Sequence, residues 1–363
     1  MPIKPKKHIS DLHRVVNASF NRSNYLNLDK NENTIGFSEE VLQDLCSLIT
    51  PDLVSSYPDV KPLYTKLTET LALDLGQIYL SSGSDAAIKS VFEAYVEPGD
   101  EVVLISPTYA MYYVYAQIFQ ARLKELVYDK DLIIPPEKII NKISSATKLV
   151  CIPNPNSSTG TVFSQQDLNK IIEAAKKYDA LVLIDEAYQQ FHRQTMLGFI
   201  NKYDNLVISR TFSKALGLAS ARLGYIASSK QIISDLFKVR PLYEISSFAV
   251  TFGCYLLDHP GILDKYLGQI SAGKEYLEKK ISELGLNMEE SHANFVLINV
   301  RSRNRAEEIV KLLFREKILI KGGFKELCLE RYIRVGLGSV KQMKIFINKL
   351  SIVLKKTSNL RLN

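Results

Sequence analysis

Residues 181–225 read LVLIDEAYQQFHRQTMLGFINKYDNLVISRTFSKALGLASARLGY, and this stretch decides the fold. It contains two short apolar runs, at Leu181–Ile184 and Leu206–Ile208, and the start of a third at Gly224–Ala227, and a helical pattern follows over Gln231–Val239. None of the runs alternates polar with apolar residues, as expected for strands that are covered on both faces. Strands in alternation with helices predict an α/β layer with a mainly parallel sheet.

The same alternation continues upstream, where apolar runs at Glu101–Ile105 and Lys148–Ile152 flank helical patterns. After about Pro241 the pattern changes to a long helical stretch followed by alternating strands and helices, which is typical of a smaller α+β domain. We therefore predict three parts: an N-terminal arm (1–35) that packs on the small domain, a large α/β domain (36–245) and a small α+β domain (246–363).

Composition excludes several classes of protein. The chain has 363 residues, of which 46% are hydrophobic and 23% charged, which is typical of a globular protein and not of a disordered one. No apolar run approaches the ~18–20 residues of a membrane span, and no apolar stretch follows the basic N-terminus as in a secretory signal. The net charge of +7 is spread along the chain and indicates no nucleic-acid partner. Four separated cysteines and five histidines show no metal-ligand spacing. We predict a cytoplasmic protein without a metal.

One lysine has a distinctive setting. Lys214 follows the run Leu206–Ile208 in a loop of small residues, with Thr211 and Ser213 just before it and Arg222 eight residues after it. A lysine beside groups that can bind phosphate suits a Schiff base with pyridoxal phosphate. Taken alone, the pattern fits a solvated loop lysine about equally well.

An acidic residue supports the first interpretation. Asp185 comes directly after the strand Leu181–Ile184, and functional groups in parallel sheets collect at the carboxyl ends of strands. A carboxylate there can pair with the pyridinium nitrogen of the cofactor, and Tyr188 could reach the ring hydroxyl. The alternative is an acid that caps the next helix.

Three further turns fit the same cofactor. In Gly83-Ser84-Asp85 the chain enters a helix, whose free N–H groups can bind phosphate. Tyr109 follows the strand Glu101–Ile105 and could stack on a cofactor ring. The stretch 154–160 (NPNSSTG) predicts a turn whatever the function.

In this order, the motifs resemble the fold-type I pyridoxal-phosphate enzymes and, more narrowly, the histidinol-phosphate aminotransferase branch of the class I/II aminotransferases. The resemblance runs from DKNEN at 29–33 to RVGLG beginning at Arg334. It includes SYPD (56–59), GSDAAI, SPTY, NPNSSTG, DEAY, RTFSKALGLASARLGY and ANF (293–295). It implies a large domain with a mainly parallel, seven-stranded type of sheet, and a smaller α+β C-terminal domain.

The resemblance also implies roles for single residues. Lys214 would be the Schiff-base lysine and the base that moves the substrate α-proton, Asp185 would bind the pyridine nitrogen, and Tyr188 the ring hydroxyl. Tyr109 would stack on the ring. The cofactor phosphate would be held by Ser84 and Asp85 backbone groups, Thr211, Ser213 and Arg222.

Two implied roles concern the partner subunit and the substrate. Tyr57 would reach the cofactor phosphate of the neighbouring subunit, which implies a homodimer with shared sites. Arg334 would grip a substrate carboxylate, a natural bidentate pair.

The chain departs from the family pattern at two places. The family turn has an asparagine that bonds the ring hydroxyl where this chain has Ser157, and a proline where it has Ser158. Either Ser157 bonds through water, or Asn156 takes over. Lys321 stands where the histidinol-phosphate enzymes carry an arginine for the substrate phosphate, and a lysine binds phosphate as a point charge.

The leading hypothesis is an aminotransferase that moves an amino group between glutamate and a small phosphorylated oxo compound. The alternative is a decarboxylase of O-phosphoserine or O-phosphothreonine, which would use the same cofactor and motifs. A non-catalytic regulator that kept the fold is disfavoured, because a degenerate site has no physical need for Lys214, Asp185 and Arg222 together.

Overall fold

The computed structural model describes residues 3–12 and 20–357. The strands are β1 (Leu26–Asn27), β2 (Ile78–Ser81), β3 (Glu101–Ser106), β4 (Arg122–Val127), β5 (Thr147–Pro153), β6 (Leu181–Asp185), β7 (Leu206–Thr211), β8 (Gly224–Ser228), β9 (Asn287–Met288), β10 (Phe295–Asn299), β11 (Ile318–Leu319), β12 (Lys321–Gly322) and β13 (Tyr332–Gly336). The helices are α1 (Lys7–Ser10), α2 (Glu39–Ser47), α3 (Pro51–Ser55), α4 (Lys61–Leu71), α5 (Gly83–Tyr95), α6 (Met111–Ile118), α7 (Pro136–Ile140), α8 (Gln165–Lys176), α9 (Gln189–His192), α10 (Lys230–Val239), α11 (Ser247–Asp258), α12 (Pro260–Glu283), α13 (Arg303–Arg315) and α14 (Val340–Thr357).

The large sheet has seven strands in the order β2-β8-β7-β6-β5-β3-β4. Strand β8 is antiparallel to both of its neighbours, and the other pairs are parallel. The predicted α/β layer with a mainly parallel sheet is therefore confirmed.

Each central strand divides its side chains between two cores. In β3, Val103 and Ile105 belong to the core on one face of the sheet, whereas Val102 and Leu104 belong to the core on the other. All four are at most 1% exposed. Because side chains alternate across a strand, a run that is apolar at every position fills both cores at once.

Several elements of the large domain are absent from the sequence prediction, among them β4 and α6. Strand β4 has the polar sequence RLKELV because it is an edge strand, where only one face is covered and charged residues are common. Helix α6 has the sequence MYYVYAQI, rich in residues that favour strands. It is helical because Tyr112 and Tyr115 pack into the core below the sheet, and this packing outweighs intrinsic propensity.

The small domain contains a four-stranded antiparallel sheet in the order β12-β13-β10-β9. Helices α12, α13 and α14 cover it and share its core. The short strand β1 pairs with β11 in parallel, so Leu28, next to β1, lies in that core. Helix α1 lies instead against α6 of the large domain, where His8 O accepts a hydrogen bond from Gln117. Residues 13–19 of the predicted arm, and 358–363, lie outside the described residues.

The sheet brings several chain segments to one edge. The carboxyl ends of β2, β3, β5, β6 and β7 meet there, because these strands run in the same direction. Strand β8 runs the other way, so its amino end reaches the same edge, with Gly224 opposite Ser81 and Thr211. This reversal places Arg222 beside the loops that follow the parallel strands.

None of the helices formed by residues 3–12 and 20–357 is both long and apolar enough to cross a membrane.

Candidate active site

Asp185 is the last residue of β6 and is 5% exposed. Its carboxylate accepts hydrogen bonds from Ser209 Oγ (3.0 Å), the Ala187 N–H (3.1 Å) and Tyr112 Oη (3.2 Å). Burial raises the pKa of Asp185 to about 6, while these donors and the charge of Lys214 act in the opposite direction. The carboxylate is therefore mostly ionised at neutral pH, and it can pair with a protonated ring nitrogen.

Lys214 follows β7 in the loop that leads to β8. Its Nζ lies 5.6 Å from the centre of the Tyr188 ring and donates a long hydrogen bond to Lys30 O (3.4 Å). Within the part of the chain that the structure describes, no carboxylate lies within 4.0 Å of this ammonium group. The amine is thus not committed to an ion pair and is available for chemistry.

Tyr188 is buried next to Lys214, with its ring edge-on to Phe295 of the small domain at 5.8 Å. Its hydroxyl accepts a hydrogen bond from Asn31 Nδ2 at 2.9 Å. The backbone of Asn31 has a φ of +57°, which asparagine tolerates better than most residues. Asn294 Nδ2 donates to Asn31 O (3.0 Å) and fixes this segment against the small domain.

The start of α5 and the loop before β8 form a phosphate cradle, by which we mean Gly83, Ser84, Thr211, Ser213 and Arg222. Arg222 Nη1 donates to Ser213 Oγ (3.3 Å), and the Ser213 N–H donates to Thr211 Oγ1 (3.1 Å). A Cβ on Gly83 would lie 2.7 Å from Arg222 Nη2, so the guanidinium would have to move to make room for it. Asp85 also lies in the first turn of α5, where its carboxylate accepts from Tyr115 (2.9 Å). In the described ranges no carboxylate pairs with the Arg222 guanidinium, and a guanidinium beside the first-turn N–H groups of α5 fits a phosphate.

A second pair of cations lies on the small domain, where Lys321 and Arg334 are opposite each other in β12 and β13. Arg334 is 8% exposed and donates only to main-chain oxygens, those of Ser157 (2.9 Å) and Asp29 (3.3 Å), while its Nε has no partner. Burial lowers the pKa of Arg334. Partial desolvation and the charge of Arg334 lower the pKa of Lys321 to about 8. Neither cation has a carboxylate partner among the described residues, and such a pair indicates an anion site.

The turn 154–160 holds the Asn156 amide in bonds of its own, and a bond of Ser157 to the ring hydroxyl through water stays a prediction. Asn156 is fully buried, and its amide is engaged within the loop region: Nδ2 donates to Pro107 O (2.9 Å) and Thr159 Oγ1 (3.1 Å), and Oδ1 accepts from Thr108 Oγ1 (2.9 Å). Ser157 presents its carbonyl to Arg334. The structure therefore gives Asn156 a structural task and does not direct its amide towards Tyr188.

Of the two predicted tyrosines that remain, Tyr109 lies at the site and Tyr57 lies away from it. Tyr109 follows β3, and its ring lies edge-on to that of Tyr112, the tyrosine that donates to Asp185, with ring centres 6.4 Å apart. Tyr57 is 77% exposed and stacks on Tyr243, with ring centres 4.1 Å apart. The structure thus brings Tyr109, but not Tyr57, to the site of its own chain.

Several residues of the site were not predicted. Tyr112 and Ser209 hold Asp185, and Asn31 holds Tyr188. Behind them Glu186 and Arg210 form a buried ion pair (2.8 Å). Ser209 and Arg210 could have been found, because they are polar residues that directly follow the apolar run of β7. Nothing in the local sequence marks Tyr112 or Asn31.

Residues 23–350 match the family described as aminotransferase class I and II. The chain belongs to this family. It is 33% identical over 338 residues to the histidinol-phosphate aminotransferase of Thermoanaerobacter pseudethanolicus, a match that covers 90% of this chain and 92% of the relative. The aminotransferase is of fold type I, and its cofactor is pyridoxal phosphate.

Solved structures show the same fold. The histidinol-phosphate aminotransferase of Sinorhizobium meliloti in complex with pyridoxal 5'-phosphate superimposes with a TM-score of 0.88 at 22% identity, covering 97% of this aminotransferase and 98% of that chain. The L-threonine-O-3-phosphate decarboxylase of Porphyromonas gingivalis gives 0.76 at 19% identity, covering 91% and 99%. At these identities the likeness concerns the fold alone.

Gly83→Ala is expected to weaken binding of pyridoxal phosphate by tenfold or more, because the new Cβ displaces the Arg222 guanidinium from the cradle. Gly99→Ala is the matched control: Gly99 has a similar positive φ of +94° but no atom within 4 Å of the added Cβ. Both variants bear a backbone strain of about 1–2 kcal/mol. Titration of the cofactor-free protein gives both affinities, and equal affinities would contradict the cradle.

Proposed function

We propose that this aminotransferase moves an amino group between glutamate and a small phosphorylated oxo compound. The observation that carries the proposal is the pair Lys321 and Arg334, two cations without carboxylate partners on the small domain. Glutamate offers them two carboxylates and the second substrate a phosphate, so that one anion site serves both half-reactions. Relatives named histidinol-phosphate aminotransferase support a substrate of this class.

The residues around the sheet edge suit the cofactor. Asp185, ionised at neutral pH, would pair with the pyridine nitrogen, and the cradle would hold the phosphate. Tyr109 would stack on the ring, and Tyr188 would bond its hydroxyl. When bound, pyridoxal phosphate supplies an electron sink for the substrate α-carbon.

Lys214 has two tasks in this proposal. It would hold the cofactor covalently before the substrate arrives, and its freed Nζ would then take the proton from the substrate α-carbon. The amine suits both, because it makes no ion pair with a described residue and lies 5.6 Å from the Tyr188 ring. Arg334 would orient the substrate by its carboxylate during proton removal.

The test of amino transfer is the absorption spectrum of the holoenzyme before and after addition of L-glutamate. The visible band of the bound cofactor is expected to bleach as the amino group is transferred to it, and 2-oxoglutarate should appear in equal amount. Lys214→Ala should fold and bind cofactor but show no turnover. Transamination by that variant would contradict the role of Lys214.

The same experiment decides between the two enzyme hypotheses. A band that does not respond to glutamate would overturn amino transfer from glutamate, and release of CO₂ from O-phosphoserine or O-phosphothreonine would then identify the decarboxylase. A bleached band would leave only the oxo acceptor to be screened, with the keto partner of histidinol phosphate first.

We further propose a cytoplasmic homodimer, built from the arm (1–35), the large domain (36–245) and the small domain (246–363). Four free cysteines suit a reducing compartment. Exposed apolar side chains lie on α2, on α3 and in the segments around Tyr57 and Tyr243, and a second copy would cover them: Leu42, Leu48, Ile49, Val54, Tyr57, Leu242 and Tyr243. In such a dimer Tyr57 would reach the cradle of the partner.

Shared sites predict complementation between two defective chains. Tyr57→Ala and Lys214→Ala each damage every site in their own homodimers. In a mixed dimer, one site combines Lys214 of one chain with Tyr57 of the other, so co-expression should restore up to about a quarter of the wild-type activity, measured at limiting cofactor. Activity no higher than that of the two separate variants would show that Tyr57 does not act across the interface.

Lys321 gives phosphate binding a distinctive pH dependence. The pKa of about 8 means that the lysine loses its charge as the pH rises from 7 to 9, so the affinity for inorganic phosphate as a competitor of glutamate should fall about tenfold. Lys321→Arg should remove this fall, because arginine stays charged. Lys325→Arg, an exposed position in the following loop, should leave it unchanged. The same fall in the Lys321→Arg variant would assign it to another group.

A further inference from the structure

We propose that Asn31 fixes the direction in which Tyr188 donates its hydroxyl proton and thereby lowers the proton affinity of the bound cofactor. In this way Asn31 would take over the task of the family asparagine that is Ser157 here. The inference rests on the proposed position of the cofactor ring hydroxyl beside Tyr188, and Asn31 would be a positioning residue that acts through Tyr188.

The geometry is fixed by two domains. Asn31 is 5% exposed, and its Nδ2 lies 2.9 Å from Tyr188 Oη. Its backbone carbonyl is held by Asn294 Nδ2 (3.0 Å), which comes from the small domain. Neither the backbone nor the amide of Asn31 can turn without breaking one of these bonds.

A phenol has one proton and can both donate and accept. Because Tyr188 Oη accepts from Asn31, its own proton is free to be donated. Over the described ranges, 3–12 and 20–357, the structure shows no other hydrogen bond at this hydroxyl. The proton is thus available for an oxygen of a ligand next to the ring.

The surroundings of Asn31 Oδ1 indicate which end of the amide faces Tyr188. Asn31 Oδ1 is buried and without a partner. If the amide were turned over, Oδ1 would accept from Tyr188 and the two N–H groups would occupy that unpartnered place. Buried donors without acceptors are rarer than under-satisfied carbonyl oxygens, which favours Nδ2 on Tyr188.

In the turn 154–160, the amide that could have replaced the family asparagine is already engaged. The Asn156 amide is used by Pro107, Thr108 and Thr159, and the Ser157 carbonyl accepts from Arg334. Tyr188 is left as the donor, and the bond from Asn31 polarises its O–H group and strengthens the donation. A hydrogen bond donated to the ring oxygen offsets its negative charge, so that the neighbouring proton is held less tightly.

The experiment measures the pH midpoint of the change in visible absorbance of the holoenzyme, without substrate. Asn31→Asp places an acceptor where the donor was, so Tyr188 would donate to the aspartate instead of the cofactor. The midpoint is expected to rise by about one pH unit, a tenfold gain in proton affinity. Asn33→Asp is the control for charge: it adds a carboxylate two residues away and keeps the acceptor oxygen that binds the Ile35 and Gly36 N–H groups.

Two more variants test whether Asn31 acts by setting the direction of the Tyr188 hydrogen bond or only by supporting the local structure. Asn31→Gly keeps the positive φ without strain and removes the donor, so the midpoint should rise less than in Asn31→Asp. In a Tyr188→Phe background, Asn31→Asp should add no more than Asn33→Asp adds, because the pathway through the hydroxyl is gone. A purely structural role would reduce cofactor retention in both Asn31 variants and leave the midpoints unchanged.

An Asn31→Asp midpoint equal to that of Asn33→Asp, or an equal rise with Tyr188→Phe, would overturn the inference. Failure of the proposed amino transfer is distinguishable, because the response to glutamate is recorded on the same wild-type sample. The midpoint can be measured whenever the cofactor is bound, so it decides the inference whether or not amino transfer from glutamate occurs.

Discussion

A carboxylate that must stay charged inside the protein is the constraint on which the rest of the site depends. Asp185 lies at the end of a central strand, where burial raises the pKa of its carboxyl. Three donors from β7, α6 and the residues after β6 counter the burial. These donors fix the relative positions of three neighbouring elements, and the loops that carry Lys214 and Tyr109 are built on the same elements.

The positively charged residues of the site come from both domains. Arg222 lies at the sheet edge because β8 runs against the other strands, whereas Lys321 and Arg334 belong to the small domain. Arg334 also bonds the carbonyls of Ser157 and Asp29, so that the anion site joins the small domain to the large domain and to the segment before α2. An anion that binds to Arg334 would therefore contact a guanidinium that is itself bonded to both of the other segments.

The sequence predicted the elements whose signal is local. The fully apolar runs identified the parallel strands, and the Asp185 and Lys214 loops follow them as predicted. The amphipathic edge strand β4 and the tyrosine-rich α6 were missed, because what defines them is contact with distant residues. For the same reason Tyr112 and Asn31 could not be found: their partners lie 73 and 157 positions away along the chain. Ser157 was recognised as a departure, but only the structure shows that Asn156 is already engaged.

Glu186 and Arg210, the residues that follow Asp185 and Ser209 in the chain, form a buried ion pair that is bonded also to Thr195. Loss of either charge alone would leave the other stranded, at a cost of about 3–5 kcal/mol, whereas joint replacement by apolar residues of similar volume is often neutral. Over evolutionary time the two positions are therefore coupled: a lineage can keep both or exchange both, but the single-step intermediates are disfavoured. Substitution at this pair is therefore expected to succeed at both positions together and to fail at either one alone.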